Sequence, residues 1–222
     1  MKRILLLIGM FRFFLPAFAQ IPVSQEPRHH DVLDNGHVRL LDVHILPGDT
    51  SLIHIHQTPS VFLILSNVKT GSQVIQEENQ SKSLYRHDGN IWFEGFYTVP
   101  RIHRVWNSDT SEFHVMDIEL PRKNFIVIDS PIRTPTGIFE FLFEEKPVRV
   151  YQMKLPPGLS MVLDQRKADI LMIQTSDSHS VVRVNEKSFM KKGDFFYIPA
   201  GKAIQIKNNG RSSAAFAFLE IK

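Results

Sequence analysis

From residue 37 onward the chain runs in short apolar or alternating segments separated by turn residues. Val38–Leu46, Ser51–His56, Val61–Leu65, Ile91–Val99 and Phe113–Leu120 are rich in β-branched and aromatic side chains. Pro47-Gly48-Asp49, Ser66-Asn67, Asp88-Gly89-Asn90 and Asn107-Ser108-Asp109 punctuate them. The second half continues in the same way with Val148–Leu155, Leu159–Leu163, Ile170–Gln174, Val181–Val184, Phe195–Ile198 and Ala214–Ile221. Alternation at a period of two puts side chains on opposite faces of a strand, and helical spacing is scarce. Short strands at regular intervals with Gly and Pro turns predict an all-β chain folded as sandwiches or barrels.

The halves also align with each other. Val38-Arg39 and Pro47-Gly48 match Val148-Arg149 and Pro157-Gly158 at an offset of 110. Pro100, Asn107 and Glu119 match Pro199, Asn208 and Glu220 at offsets of 99 to 101. Self-similarity over so long a period predicts a duplicated unit. The first unit is expected over residues 20–120 and the second over 148–222, joined by a proline-bearing linker at 121–147. Residues 20–36, with Arg28-His29-His30-Asp31, read as a polar lead-in arm.

The first residues have a different character. Met1-Lys2-Arg3 is a positive start, Ile4 to Phe18 is mostly apolar, and Ala17-Phe18-Ala19 offers small residues where a signal peptidase reads. This predicts a secretory signal over residues 1–19, cut near Ala19-Gln20, and an exported protein that is periplasmic or secreted. The apolar stretch is too short and interrupted to span a bilayer, so no stable membrane insertion is expected.

Loss of Lys2, Arg3 and Arg12 with that segment would bring the 26 basic side chains level with the 23 acidic ones. The formal charge of +3 then belongs to the leader, and the basic footprint that nucleic-acid binding requires is missing. The chain has no cysteine, which excludes disulfides, thiolate metal sites, cysteine nucleophiles and iron–sulfur clusters. Metal chemistry would have to rest on histidine and carboxylate.

Such a constellation is present. In Gly48-Asp49-Thr50-Ser51-Leu52-Ile53-His54-Ile55-His56 the two histidines are alternate residues of a strand and project to one side. A third histidine comes from Pro100-Arg101-Ile102-His103-Arg104-Val105-Trp106-Asn107. The pattern resembles the cupin superfamily, whose motifs are G-x5-H-x-H-x3,4-E-x6-G and G-x5-P-x-G-x2-H-x3-N. Gly48, His54 and His56 fit the first motif, and His103 and Asn107 fit the end of the second. The first motif's Glu is missing, with Ser60 or Val61 in its place. In the second repeat Gly193 to Gly201 and Asn208 follow the second motif, but Ile204 replaces the histidine, and Asp164 and Arg166 stand where His54 and His56 do.

The resemblance implies two cupin-type jelly-roll barrels, a bicupin whose C-terminal site is degenerate, with His54, His56 and His103 as metal ligands. Neutral imidazoles suit a divalent transition metal, iron first, with zinc, copper or nickel open. Three-histidine cupins are often thiol or diketone dioxygenases, so the resemblance implies a small-molecule oxidoreductase of that type. Zinc-assisted Lewis-acid chemistry, a non-catalytic ligand-binding or structural barrel, and a sugar isomerase or epimerase are the other readings.

Further candidates are His114, as a fourth ligand or substrate contact if its strand face is inward, and Glu94, as a carboxylate from elsewhere in the barrel. Trp92, Phe62, Tyr97 and Trp106 are expected to fill the core or line the barrel mouth, His29 and His30 to belong to the arm, and His44 to be an ordinary strand residue. Arg104 should face away from His103. The expected partner is a small-molecule ligand or substrate, and the expected state is a monomer or homodimer.

Overall fold

The computed structural model describes residues 20–75, 81–133, 137–177 and 181–222. The predicted secretory signal lies outside the described residues. No helix among those described is long and apolar enough to cross a membrane.

The first half forms two five-stranded sheets. One contains β1 (Ile21–Pro22), β4 (His54–His56), β9 (Arg101–Asn107), β6 (Val68–Val74) and β7 (Ser81–Arg86), in that spatial order. The other contains β2 (His29–Asp34), β3 (Arg39–Ile45), β10 (Phe113–Glu119), β5 (Ser60–Ile64) and β8 (Ile91–Glu94). The second half repeats the plan. β11 (Phe139–Glu145), β12 (Val148–Leu155), β19 (Ala214–Ile221), β14 (Asp169–Gln174) and β17 (Phe195–Ile198) form a five-stranded sheet. It faces a four-stranded one of β13 (Ser160–Leu163), β18 (Ile204–Asn208), β15 (Val182–Val184) and β16 (Lys187–Phe189).

The duplication extends to individual hydrogen bonds. Asn107 Nδ2 donates to the carbonyls of Ile45 and Ser111, and Asn208 Nδ2 to those of Leu155 and Ser212. Gly48 N–H donates to Asn107 O at 3.1 Å and Gly158 N–H to Asn208 O at 3.0 Å. Both glycines turn the chain at positive φ, +76° and +71°, where a Cβ would be disfavoured. Arg39 Nη1 donates to Glu119 Oε2, and Arg149 Nη1 to Glu220 Oε2, each at 3.0 Å.

Three apolar clusters account for the layering. Leu41, Val43, Ile45, Ile64, Phe113 and Val115 fill part of the first barrel. Tyr151, Met153, Met172, Phe189, Phe216 and Phe218 fill the second. Between them, Leu40, Leu63, Met116 and Ile118 of the first barrel pack against Leu171, Ile173, Leu219 and Ile221 of the second. The facing sheets are therefore buried on both sides, which is why β14 and β19 read as nearly unbroken apolar runs rather than alternating ones.

Three sequence expectations are corrected. Residues 20–36 are not a free arm: Ile21 and Pro22 pair in parallel with His54 and Ile55, and β2 pairs with β3. Glu26 anchors the segment, accepting from Arg28 N, Leu52 N and His29 Nδ1 at 2.7, 3.0 and 2.7 Å. The proposed linker 121–147 also contains strand, because β11 pairs with β12 along its length. The strand expected over Ile91–Val99 stops at Glu94, where Gly95 and then Phe96, at a φ of +48°, turn the chain.

Candidate metal centre

His54 and His56 alternate along β4, and β9 runs antiparallel beside it with His103 directly opposite His54. Strand alternation sends all three imidazoles into the first barrel, where one ligand nitrogen from each lies within 4.8 Å of the others. His54 and His56 are 1% and 2% exposed. His56 Nε2 and His103 Nε2 are 3.1 Å apart. Two nitrogens each about 2.1 Å from one ion would stand about 3.0 Å apart at a right angle, so the observed spacing suits a shared cation.

The outer nitrogens bear on the tautomers. His54 Nδ1 donates to Leu52 O at 2.9 Å, leaving Nε2 buried and without a partner. Ser72 Oγ stands 3.4 Å from His103 Nδ1. Asp117 Oδ2 stands 3.4 Å from His56 Nδ1, an ion-pair distance rather than a hydrogen bond. An oxygen stands near each Nδ1, an arrangement that suits Nδ1–H tautomers and would leave the three Nε2 lone pairs for a common metal. Burial lowers His54 to about 4. Burial and the neighbouring imidazoles hold His56 and His103 well below the usual range. All three are therefore neutral near pH 7 and available as ligands.

Asp117 is 1% exposed, and burial, with Glu119 nearby, pushes its carboxyl well above the usual carboxylate range. Neither of its oxygens makes a hydrogen bond of good geometry among the described residues, although the nearby Ser60 hydroxyl offsets a little of the upward shift. An unpartnered buried carboxyl is costly, and a cation held through His56 would offset that cost. The residues present thus fit a divalent metal.

No family model and no curated protein matches this sequence. Solved structures do match. AerE from Microcystis aeruginosa superposes with a TM-score of 0.59 at 13% identity, over 89% of this chain and 98% of that one. A salicylate 1,2-dioxygenase from Pseudaminobacter salicylatoxidans gives 0.58 at 10% identity, over 90% and 78%. A cupin 2 conserved barrel domain protein from Leptotrichia buccalis gives 0.53 at 12% identity, over 93% and 100%. The chain has the cupin fold.

Within the first barrel of this cupin fold the histidines sit at the wall of a cavity of about 90 Å³. Phe62, Trp92, Phe113 and Val115 supply its apolar lining, and Arg86 and Arg101 its positive charge. Phe62 and Phe96 pack edge-on and stacked against His56, both with centroids 5.6 Å away. Arg86 lies over the Trp92 ring, and its Nε–H is buried without a partner. In the second barrel Ile204, in place of the third histidine, is fully buried, and Arg166 bonds Glu220 Oε1 at 2.7 Å.

The additional candidates land elsewhere. His114 faces outward, because the inward residues of β10 are Phe113, Val115 and Asp117; its Nε2 bonds Asp42 Oδ1 at 2.7 Å. Glu94 pairs with Arg101 at 3.2 Å outside the cavity. Trp92 and Phe62 line the cavity as expected, whereas Trp106 covers Gly71 and Tyr97 is 57% exposed. Arg104 does face away from His103, bonding Gln73. His29 belongs to the cavity wall, its ring 4.9 Å from that of His54.

Sequence reasoning missed Asp117, Ser72 and Arg86. A signal existed only for Asp117, which with Glu119 continues the Phe113–Val115 face of β10 as a pair of carboxylates.

Proposed function

We propose that this bicupin is a metal-dependent oxidoreductase in which His54, His56 and His103 hold ferrous iron and a small anionic molecule is dioxygenated. The observation that carries this reading is the convergence of three neutral imidazoles, with His54 Nε2 buried and unpartnered, beside a positively charged cavity. When bound, the metal supplies the site at which dioxygen and substrate meet. Dioxygenation places both oxygen atoms in the product, so no further electron donor is required. The leader predicted at residues 1–19 supports export.

The protein's own residues do the rest. Leu52 O fixes the tautomer of His54, and Asp117 and Ser72 stand beside the outer nitrogens of His56 and His103. Arg86, with its free Nε–H, is placed to bind a substrate carboxylate or enolate, a charge-assisted contact strengthened by burial. Phe62, Trp92 and Phe96 exclude water around the histidines.

Cavity size narrows the substrate. A cavity of about 150 Å³ takes a benzene ring, and this one is about 90 Å³. A short acyclic acid, thiol or diketone fits better than an aromatic acid. The same smallness favours a second reading, in which the metal is structural and the barrel turns nothing over.

Oxygen consumption by the iron-loaded protein with small thiols, diketones and 2-oxo acids tests the proposal. Substrate-dependent uptake with one O2 used per substrate supports it. Iron held tightly with no uptake for any of them gives the structural reading.

A further inference from the structure

The outer face of the sheet β2-β3-β10-β5-β8 carries another set of ligand-type side chains. Asp42 and His44 alternate on β3, and His114 lies directly opposite His44 on antiparallel β10. The layout repeats that of the first centre: two residues at i and i+2 on one strand, and a histidine across the ladder from one of them. One ligand atom from each of the three lies within 4.8 Å of the others.

The contacts are specific. His114 Nε2 and His44 Nε2 stand 2.7 and 3.1 Å from the same oxygen, Asp42 Oδ1. Their rings stack with centroids 4.3 Å apart and planes 20° apart. His44 Nδ1 is itself 3.1 Å from Glu112 Oε1, so this imidazole has a carboxylate at each nitrogen. A neutral imidazole carries only one N–H. If Nδ1–H is given to Glu112, Nε2 turns a lone pair toward Asp42 Oδ1, and the two repel unless a positive centre, a second proton or a metal ion, lies between them. His30, register-paired with Asp42, brings a further imidazole to the same face, its ring 6.2 Å from that of His44.

The hollow above these residues, about 240 Å³, lies against the second barrel. Gly193 packs there so closely that a Cβ would stand 3.1 Å from His114 Cε1. Lys187, Lys191 and Lys192 also line the hollow, with Asp194 among them; Lys192 is engaged by Asp88 and Asp177 at 2.6 and 3.4 Å and Lys187 by the Phe195 carbonyl, which offsets part of their repulsion of a cation.

We propose that Asp42, His44 and His114 form a second metal site, suited to zinc or a similar borderline divalent ion, at the seam between the barrels. Glu112 holds His44 through Nδ1, as a carboxylate commonly does for a metal-bound histidine. An ion there fastens β3 to β10 beside the inter-barrel packing. The site shares no ligand with the cavity and is tested independently of it.

The test uses purified protein carrying His54→Ala and His56→Ala, stripped of metal and titrated with Zn²⁺ alone against a chromogenic zinc chelator. One zinc per chain is expected, with affinity falling at least about tenfold on adding His114→Ala or Asp42→Asn. Glu112→Gln should weaken binding by a smaller factor and leave the stoichiometry unchanged. Should the combined variants fail to fold, protein with the first centre intact serves instead: two zinc ions per chain, reduced to one by His114→Ala. Absence of zinc from the His54/His56 variant, or binding that His114→Ala leaves unchanged, overturns the proposal. His44 would then be a doubly protonated imidazolium between two carboxylates.

Discussion

Asp117 stands behind His56, its Oδ2 3.4 Å from the Nδ1 of that histidine, with both side chains almost completely shielded from water. The strand that carries Asp117 also carries His114, one face turned to the cavity and the other to the second barrel. One strand, β10, thus serves the metal centre from behind and the inter-barrel seam from the front.

Removing the carboxylate should loosen the centre without destroying the barrel. Asp117→Asn is expected to weaken metal affinity by about 10- to 100-fold, the usual effect of losing a residue that orients a ligand. Competition with a chelator measures it, and circular dichroism checks the fold. Unchanged affinity would remove Asp117 from the account.

Arg86 should act on substrate rather than on metal. In Arg86→Met the metal content stays that of the unsubstituted protein, while KM for an anionic substrate rises about tenfold or more, as loss of a buried charge-assisted contact would cause. A fall in metal content instead would place Arg86 in the structural support of the site.

Gly71 lies across the ladder from Trp106, and a Cβ on it would fall 1.9 Å from the indole Cε2. Gly71→Ala must therefore displace the ring or the strand, at a cost of roughly 1–3 kcal/mol, read as a lowered Tm. A Tm equal to that of the unsubstituted protein would show that Trp106 moves freely.

Glu26 gives a pH dependence with a definite sign. Burial raises its pKa, but bonds from His29, Leu52 and Arg28 outweigh this and hold it at about 2, below the ordinary 4.5. A folded-state value below the unfolded one stabilises fully above the unfolded value and is lost as pH falls toward the folded one. Glu26→Gln should cost roughly 2 kcal/mol at neutral pH, and the gap to the unsubstituted protein should close between about pH 4.5 and pH 2. Urea denaturation at a series of pH values follows it, and a gap independent of pH would contradict the assignment.

Much of this architecture is readable from the chain because its signals are local. Gly48, His54, His56, His103 and Asn107 stand at fixed spacings, and the matched pairs Asn107/Asn208 and Glu119/Glu220 turn out to make matched bonds. Several of the strands left unread carry no side-chain pattern, although β18 (Ile204–Asn208) alternates and is also among those left unread. In β7 most residues are exposed, so the pairing with β6 rests on backbone bonds that composition does not display. Strands β2 and β11 lie in polar or proline-flanked segments that look like connections. Orientation was hidden for a different reason. Both faces of β10 are apolar, one against the barrel interior and one against the second barrel, so alternation separates Asp117 from His114 without saying which points inward. Arg86 was invisible because only the folded barrel removes its Nε–H from water.

The central claim is that three histidines of the first barrel hold a metal, and elemental analysis of the purified protein tests it most directly. Iron close to one ion per chain, lost from the cavity when His54 and His56 are both changed to alanine, is the predicted result. No metal in the unsubstituted protein, even after reconstitution with ferrous iron or zinc, or a metal content indifferent to those two substitutions, would contradict it.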